Sequence, residues 1–137
     1  MRSLFHALTA VLVLAASSNA LAGAPNAEKG ERSLAKLLEG RTVGKPVNCI
    51  DPQRAQAVEI IDGTAIVYRM PGGGLYVNLP SAGAAMLDQE VMLRSRTNGT
   101  RLCRWDGVTL IGQGPGSPFA VGLVRLGEFV PYGKVER

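Results

Sequence analysis

The sequence predicts an all-β fold, a small antiparallel barrel or sandwich of about seven short strands, with one short N-terminal helix. Three observations predict it. From Val47 onward, short runs rich in Val, Ile, Leu and Tyr recur at close spacing, bounded by Gly, Pro, Asn or Asp. Asp62-Gly63 and Asn98-Gly99 are dipeptides that favour tight hairpin turns. Helical periodicity is confined to one stretch, where Leu34, Leu37 and Leu38 fall at i, i+3 and i+4.

The chain has 137 residues, and residues 1–22 read as a secretory signal peptide. Arg2 supplies a positive start, Leu4 to Ala16 an apolar run, and Ala20-Leu21-Ala22 a small-x-small cleavage site. A membrane anchor needs roughly 20 apolar residues; this run is shorter, and Ser17, Ser18 and Asn19 dilute it. No Cys stands near the cleavage site to take a lipid. Export predicts a periplasmic or secreted protein, not an integral membrane protein. Residues 23–45 form an N-terminal segment and residues 46–137 one β-rich domain. Their combined length of about 115 residues is typical of a domain with its own core.

In order along the chain, Gly23 to Gly30 is small and polar and is expected to be mobile. Glu31 to Glu39 is the predicted helix, with Gly40 as its stop. Val47 to Ile50 is the first strand candidate, and Asp51-Pro52 reads as a cap followed by one helical turn. Val58 to Ile61 and Thr64 to Tyr68 flank the Asp62-Gly63 turn. Pro71 to Gly74 is another turn, and Leu75 to Asn78 the next strand. Pro80 to Leu87 is loop, with room for a helical turn. Val91 to Arg96 and Thr100 to Trp105 flank Asn98-Gly99. A three-residue loop, Thr97-Asn98-Gly99, would place Val91 opposite Trp105 and Leu93 opposite Cys103, with Arg94, Arg96 and Arg104 on the other face. A two-residue loop would set Arg96 against Arg101. Val108 to Ile111, Phe119 to Leu126 and Glu128 to Tyr132 complete the extended segments.

Composition removes several chemistries. The single histidine, His6, lies in the signal segment. The mature chain therefore has no Ser-His or Cys-His nucleophile and no His-based zinc or copper site. No cofactor and no metal site is expected. Without Arg2 the chain carries 14 Lys and Arg against 11 Asp and Glu, a net charge of +3. So mild an excess favours solubility and gives no reason to expect nucleic acid. Two cysteines remain, Cys49 and Cys103. In an oxidising compartment they read as a disulfide, and no C-x-x-C spacing points to redox work.

Several segments occur in a recognisable order: Cys49-Ile50, Ile60-Ile61-Asp62-Gly63-Thr64-Ala65-Ile66-Val67-Tyr68, Tyr76-Val77-Asn78-Leu79-Pro80, Leu102-Cys103 with Asp106, and Leu126-Gly127 with Phe129-Val130-Pro131-Tyr132. From Val47 to Tyr132 the chain resembles a family of small exported proteobacterial proteins of unknown function, each with a signal peptide and one compact domain. The resemblance implies two further cysteines in many members. The corresponding regions here, Ser81 to Ala85 and Val121 to Arg125, hold none. It implies no activity.

The candidate sites follow from residue type. Arg94, Arg96, Arg101 and Arg104 are the densest basic cluster; Arg94, Arg96 and Arg104 are the candidate anion-binding residues if an outward face gathers them, and otherwise a solvated strand face. Asp88 and Glu90 are the one candidate carboxylate pair for acid/base hydrolysis. Gly72-Gly73-Gly74 precedes a strand, which argues for a turn over a phosphate loop. Trp105, beside Cys103, is expected to pack inward. The function expected is that of a non-enzymatic envelope protein with a structural or partner-binding role. A binding module for an anionic ligand through the hairpin 91–105 and a carboxylate-based hydrolase are the alternatives.

Overall fold

A computed structural model describes residues 25–97 and 99–135. The signal segment and Asn98 lie outside the described residues. Nine strands form three antiparallel sheets, with one α-helix. No pairing among the described residues closes a sheet into a barrel. No described helix is long and apolar enough to cross a membrane.

Helix α1 (Pro25–Leu38) begins six residues before the Leu stripe predicts, taking in Pro25 to Gly30. Proline is tolerated in a first helical turn because its missing N–H has no partner there in any case, and Glu28 in that turn suits the helix dipole. The decisive residue is Gly30, the one buried position of the helix. A Cβ there would collide with the Thr64 side chain and the Asp62 carbonyl. Glycine lets the helix backbone press onto the turn at residues 62–64. At the other end Gly40 adopts φ 71°, and the Arg41 guanidinium donates to the carbonyls of Leu37 and Gly73.

The four-stranded sheet has the order β2 (Ala57–Ile61), β3 (Ala65–Arg69), β4 (Leu75–Asn78), β9 (Phe129–Tyr132). Side chains alternate across a pleated strand. One face therefore carries Ile61, Ala65, Val67, Leu75 and Val77, packed under Leu34, Leu37 and Leu38 of the helix. The other carries Ile60, Ile66, Tyr68 and Phe129 and belongs to a larger core. Covered on both faces, β3 is buried from Ala65 through Tyr68, which explains its unbroken apolar run.

The larger core is shared with the three-stranded sheet, β5 (Met92–Ser95), β7 (Gly107–Gly112) and β8 (Phe119–Arg125), in the order β5-β7-β8. Val108, Leu110 and Val124 meet Ile66 and Tyr68 there, and the Tyr68 and Phe129 rings pack edge to face at 5.8 Å. A two-residue ladder pairs β1 (Cys49–Ile50) with β6 (Leu102–Cys103) and adds Ile50 and Leu102 to this core.

That pairing overturns the predicted hairpin 91–105. β5 pairs with β7, setting Leu93 against Leu110 and Arg94 against Thr109. β6 pairs with β1 instead. Local turn chemistry at Asn98-Gly99 loses to two longer-range gains: Leu93 obtains an apolar partner, and Cys49 comes directly opposite Cys103. Trp105 does not pack inward. It is 57% exposed, in a tight turn at φ 73°, with the Arg104 guanidinium 4.7 Å from its ring centroid.

Candidate functional site

The two larger sheets enclose their common core unequally. On the β8/β9 side it is sealed by the short link Leu126-Gly127-Glu128. There Asn78, fully buried, bonds both backbone groups of Gly127, and the Ser81 N–H donates to the Arg125 carbonyl at 2.8 Å. On the opposite side the terminal strands are β2 and β5, and no described strand bridges them.

A cleft of about 440 Å³ opens between these two edges. Val58 and Ile60 of β2 form one wall, Met92, Leu93 and Ser95 of β5 the other. Tyr68, Leu102 and Val108, all buried core residues, also line it. No charged side chain lines it, and the only side-chain polar groups are the hydroxyls of Tyr68 and Ser95. Burial pushes the Tyr68 phenol well above its ordinary pKa, so it is a neutral hydrogen-bonding group at physiological pH. Apolar walls with a few polar groups, at a volume of a few hundred Å³, are the composition of a binding cleft.

The cleft derives from strand alternation. Val58 and Ile60 share one face of β2, Leu93 and Ser95 one face of β5. The residues between them project elsewhere: Glu59 forms an ion pair with Arg69 at 2.6 Å, and Arg94 stands exposed opposite Thr109.

The three predicted anion-binding arginines do not share a face. Arg94 lies on the outer side of the three-stranded sheet. Arg104 is held by Glu128 at 2.9 Å and by the Trp105 ring. Arg96 instead meets Arg101 in a separate pocket of about 340 Å³, with Thr100 and Asp106. This pocket is built around the disulfide. Cys49 and Cys103 are bonded, with Cα atoms 4.0 Å apart, and Arg101 donates to the Cys49 carbonyl. Asp106 accepts from the Cys103 N–H at 2.7 Å, which tightens the turn that carries Arg104 and Trp105.

Asp88 and Glu90 are both exposed, and the Asp88 carboxylate accepts from the Glu90 N–H at 2.8 Å. They form a turn and do not converge across a cleft, so the geometry gives the hydrolase reading no support. Gly72-Gly73-Gly74 lies in a turn leading into β4, as its sequence predicts. No cluster of His, Cys, Asp or Glu suited to a metal occurs among the described residues.

No known family model, curated protein or solved structure matches the chain. Its site is therefore read from its own geometry. Sequence reasoning missed the cleft because Val58 and Leu93 are brought together only by the packing of two sheets. Their one sequence signal is that each alternates with a charged neighbour, Glu59 and Arg94.

Proposed function

We propose that this is an exported, non-enzymatic envelope protein, periplasmic or secreted, that binds a partner through the open side of its core. The observation that carries the reading is the uncharged cleft between β2 and β5, where buried core residues line a surface opening. The disulfide fits an oxidising compartment. In this reading the two larger sheets act as the halves of an open sandwich.

A neutral apolar fluorophore such as phenylnaphthylamine tests it. The protein should bind the dye at a single site. Val58 is 48% exposed at the cleft, so Val58→Trp should fill the site without disturbing the core and should abolish binding. Absence of binding, or binding indifferent to Val58→Trp, would refute the reading.

The second reading is an anion-binding module. It is favoured by the pocket that joins Arg96 to Arg101, and it replaces Arg94 and Arg104 of the predicted trio. Arg96→Ser with Arg101→Ser should remove salt-sensitive binding of an anionic polymer such as heparin; unchanged binding excludes it.

A further inference from the structure

The cleft holds one buried polar group that the fold leaves without a partner. Tyr68 is only 4% exposed. It stands across the ladder from Val58 and packs its ring edge to face on Phe129, yet its hydroxyl bonds to no other described residue. Buried polar groups are nearly always hydrogen-bonded, to protein or to something else. Among the described residues, the one side-chain polar atom both sealed from solvent and unpartnered is Arg104 Nε. The Tyr68 hydroxyl is therefore reached from outside, and the cleft that Tyr68 lines is the way in. Resting on the reading of this cleft as the binding face, we propose that its occupant is a neutral apolar small molecule with a carbonyl acceptor, as in an ester or amide, to which the Tyr68 hydroxyl donates.

Three properties of the cleft define that class. No charged side chain lines it, so a carboxylate or an ammonium group would enter without a counter-charge, and an unpaired buried charge is costly. Val58, Ile60, Leu93, Leu102 and Val108 supply hydrocarbon walls, and the volume of about 440 Å³ is in the range of sites that bury most of a small ligand. Burial keeps the phenol protonated at physiological pH, so it always has a hydrogen to donate. Ser95, the other hydroxyl, is exposed and is served by bulk water. Tyr68 is not, once the cleft is filled: a pure hydrocarbon strips water from its hydroxyl and gives nothing back, whereas a carbonyl replaces the lost bond.

The test is displacement of the neutral fluorophore by three probes of equal chain length: methyl octanoate, octane and octanoate. The ester should bind about fivefold more tightly than the alkane, the worth of one net hydrogen bond. The carboxylate should bind at least about tenfold more weakly than the ester. Tyr68→Phe should bring the ester-to-alkane ratio close to one, and Ser95→Ala should leave that ratio as it was. In the infrared spectrum the carbonyl stretch of isotope-labelled ester should shift to lower frequency on binding, and the shift should vanish with Tyr68→Phe. A ratio near one in the unaltered protein, a ratio that survives Tyr68→Phe, or a carboxylate bound as tightly as the ester overturns the proposal. Should Tyr68→Phe not fold, an unshifted carbonyl stretch in the unaltered protein overturns it equally. Dye binding that no ester displaces overturns it while leaving the cleft a binding face; failure of the dye and of all three probes refutes the cleft reading itself.

Discussion

Asn78 and Gly127 hold each other by two hydrogen bonds: the Asn78 amide donates to the Gly127 carbonyl at 2.8 Å and accepts from its N–H at 3.0 Å. Asn78 is fully buried. Its side chain does what a strand neighbour would do, satisfying a backbone unit in the link between β8 and β9. This is how one side of the core is closed while the other stays open.

Asn78→Ala should therefore destabilise the fold by about 3 kcal/mol, since it strips partners from a buried donor and a buried acceptor. Urea unfolding measures the loss. A change within about 0.5 kcal/mol, usual for a surface site, would show that the link is held by other contacts.

The disulfide staples a ladder of only two residue pairs, Cys49 with Cys103 and Ile50 with Leu102. Its sequence separation is 54, and closing a loop of that size stabilises by about 4 kcal/mol in the chain-entropy model. Reduction, or Cys49→Ser with Cys103→Ser, should lower stability by that order. It should also free Arg101 from the Cys49 carbonyl and so disperse the Arg96–Arg101 pocket. Equal denaturation midpoints for oxidised and reduced protein would contradict this.

Gly30→Ala improves helix propensity by about 1 kcal/mol, yet it should destabilise. The new methyl meets Thr64 and the Asp62 carbonyl, and overpacking of that kind costs about 1–3 kcal/mol. The helix should lift from the sheet, so that its amides lose hydrogen-exchange protection before those of β3. A more stable Gly30→Ala protein would show that the helix can shift freely on its sheet.

Tyr68 gives a pH signature. Its folded-state pKa lies above the unfolded value near 10. The unfolded chain thus releases this proton first as pH rises, and stability falls as pH climbs above about 10. Tyr68→Phe should flatten that part of the stability profile. If the profiles of the unaltered protein and of Tyr68→Phe run parallel there, the phenol is more solvated than the cleft geometry implies.

Much of the secondary structure was legible because it depends on neighbours in the chain. The Asp62-Gly63 turn, the short helical turn after Asp51-Pro52 and the last two strands stand where turn residues and apolar runs place them. The strands number nine, not about seven; the two-residue strands Cys49–Ile50 and Leu102–Cys103 fall inside the longer extended segments, 47–50 and 100–105, that the sequence marks. The start of the helix was hidden because Gly30 weakens a local helix and is explained only by what presses on it. Pairing of β5 was hidden for the same reason. The choice between residues 102–103 and 107–112 depends on Cys49, about 40 residues before β5. The arginine cluster was visible in composition, but its division into Arg94 outside, Arg104 on Glu128, and Arg96 beside Arg101 follows from that pairing.

Amide chemical-shift mapping with the neutral fluorophore tests the central claim most directly. If the open side of the core is the binding face, the perturbed amides cluster at Val58, Leu93, Ser95 and Leu102. Perturbations centred on the exposed apolar residues of β8, Phe119, Val121 and Leu123, would place binding on the outer face of the three-stranded sheet and contradict the account.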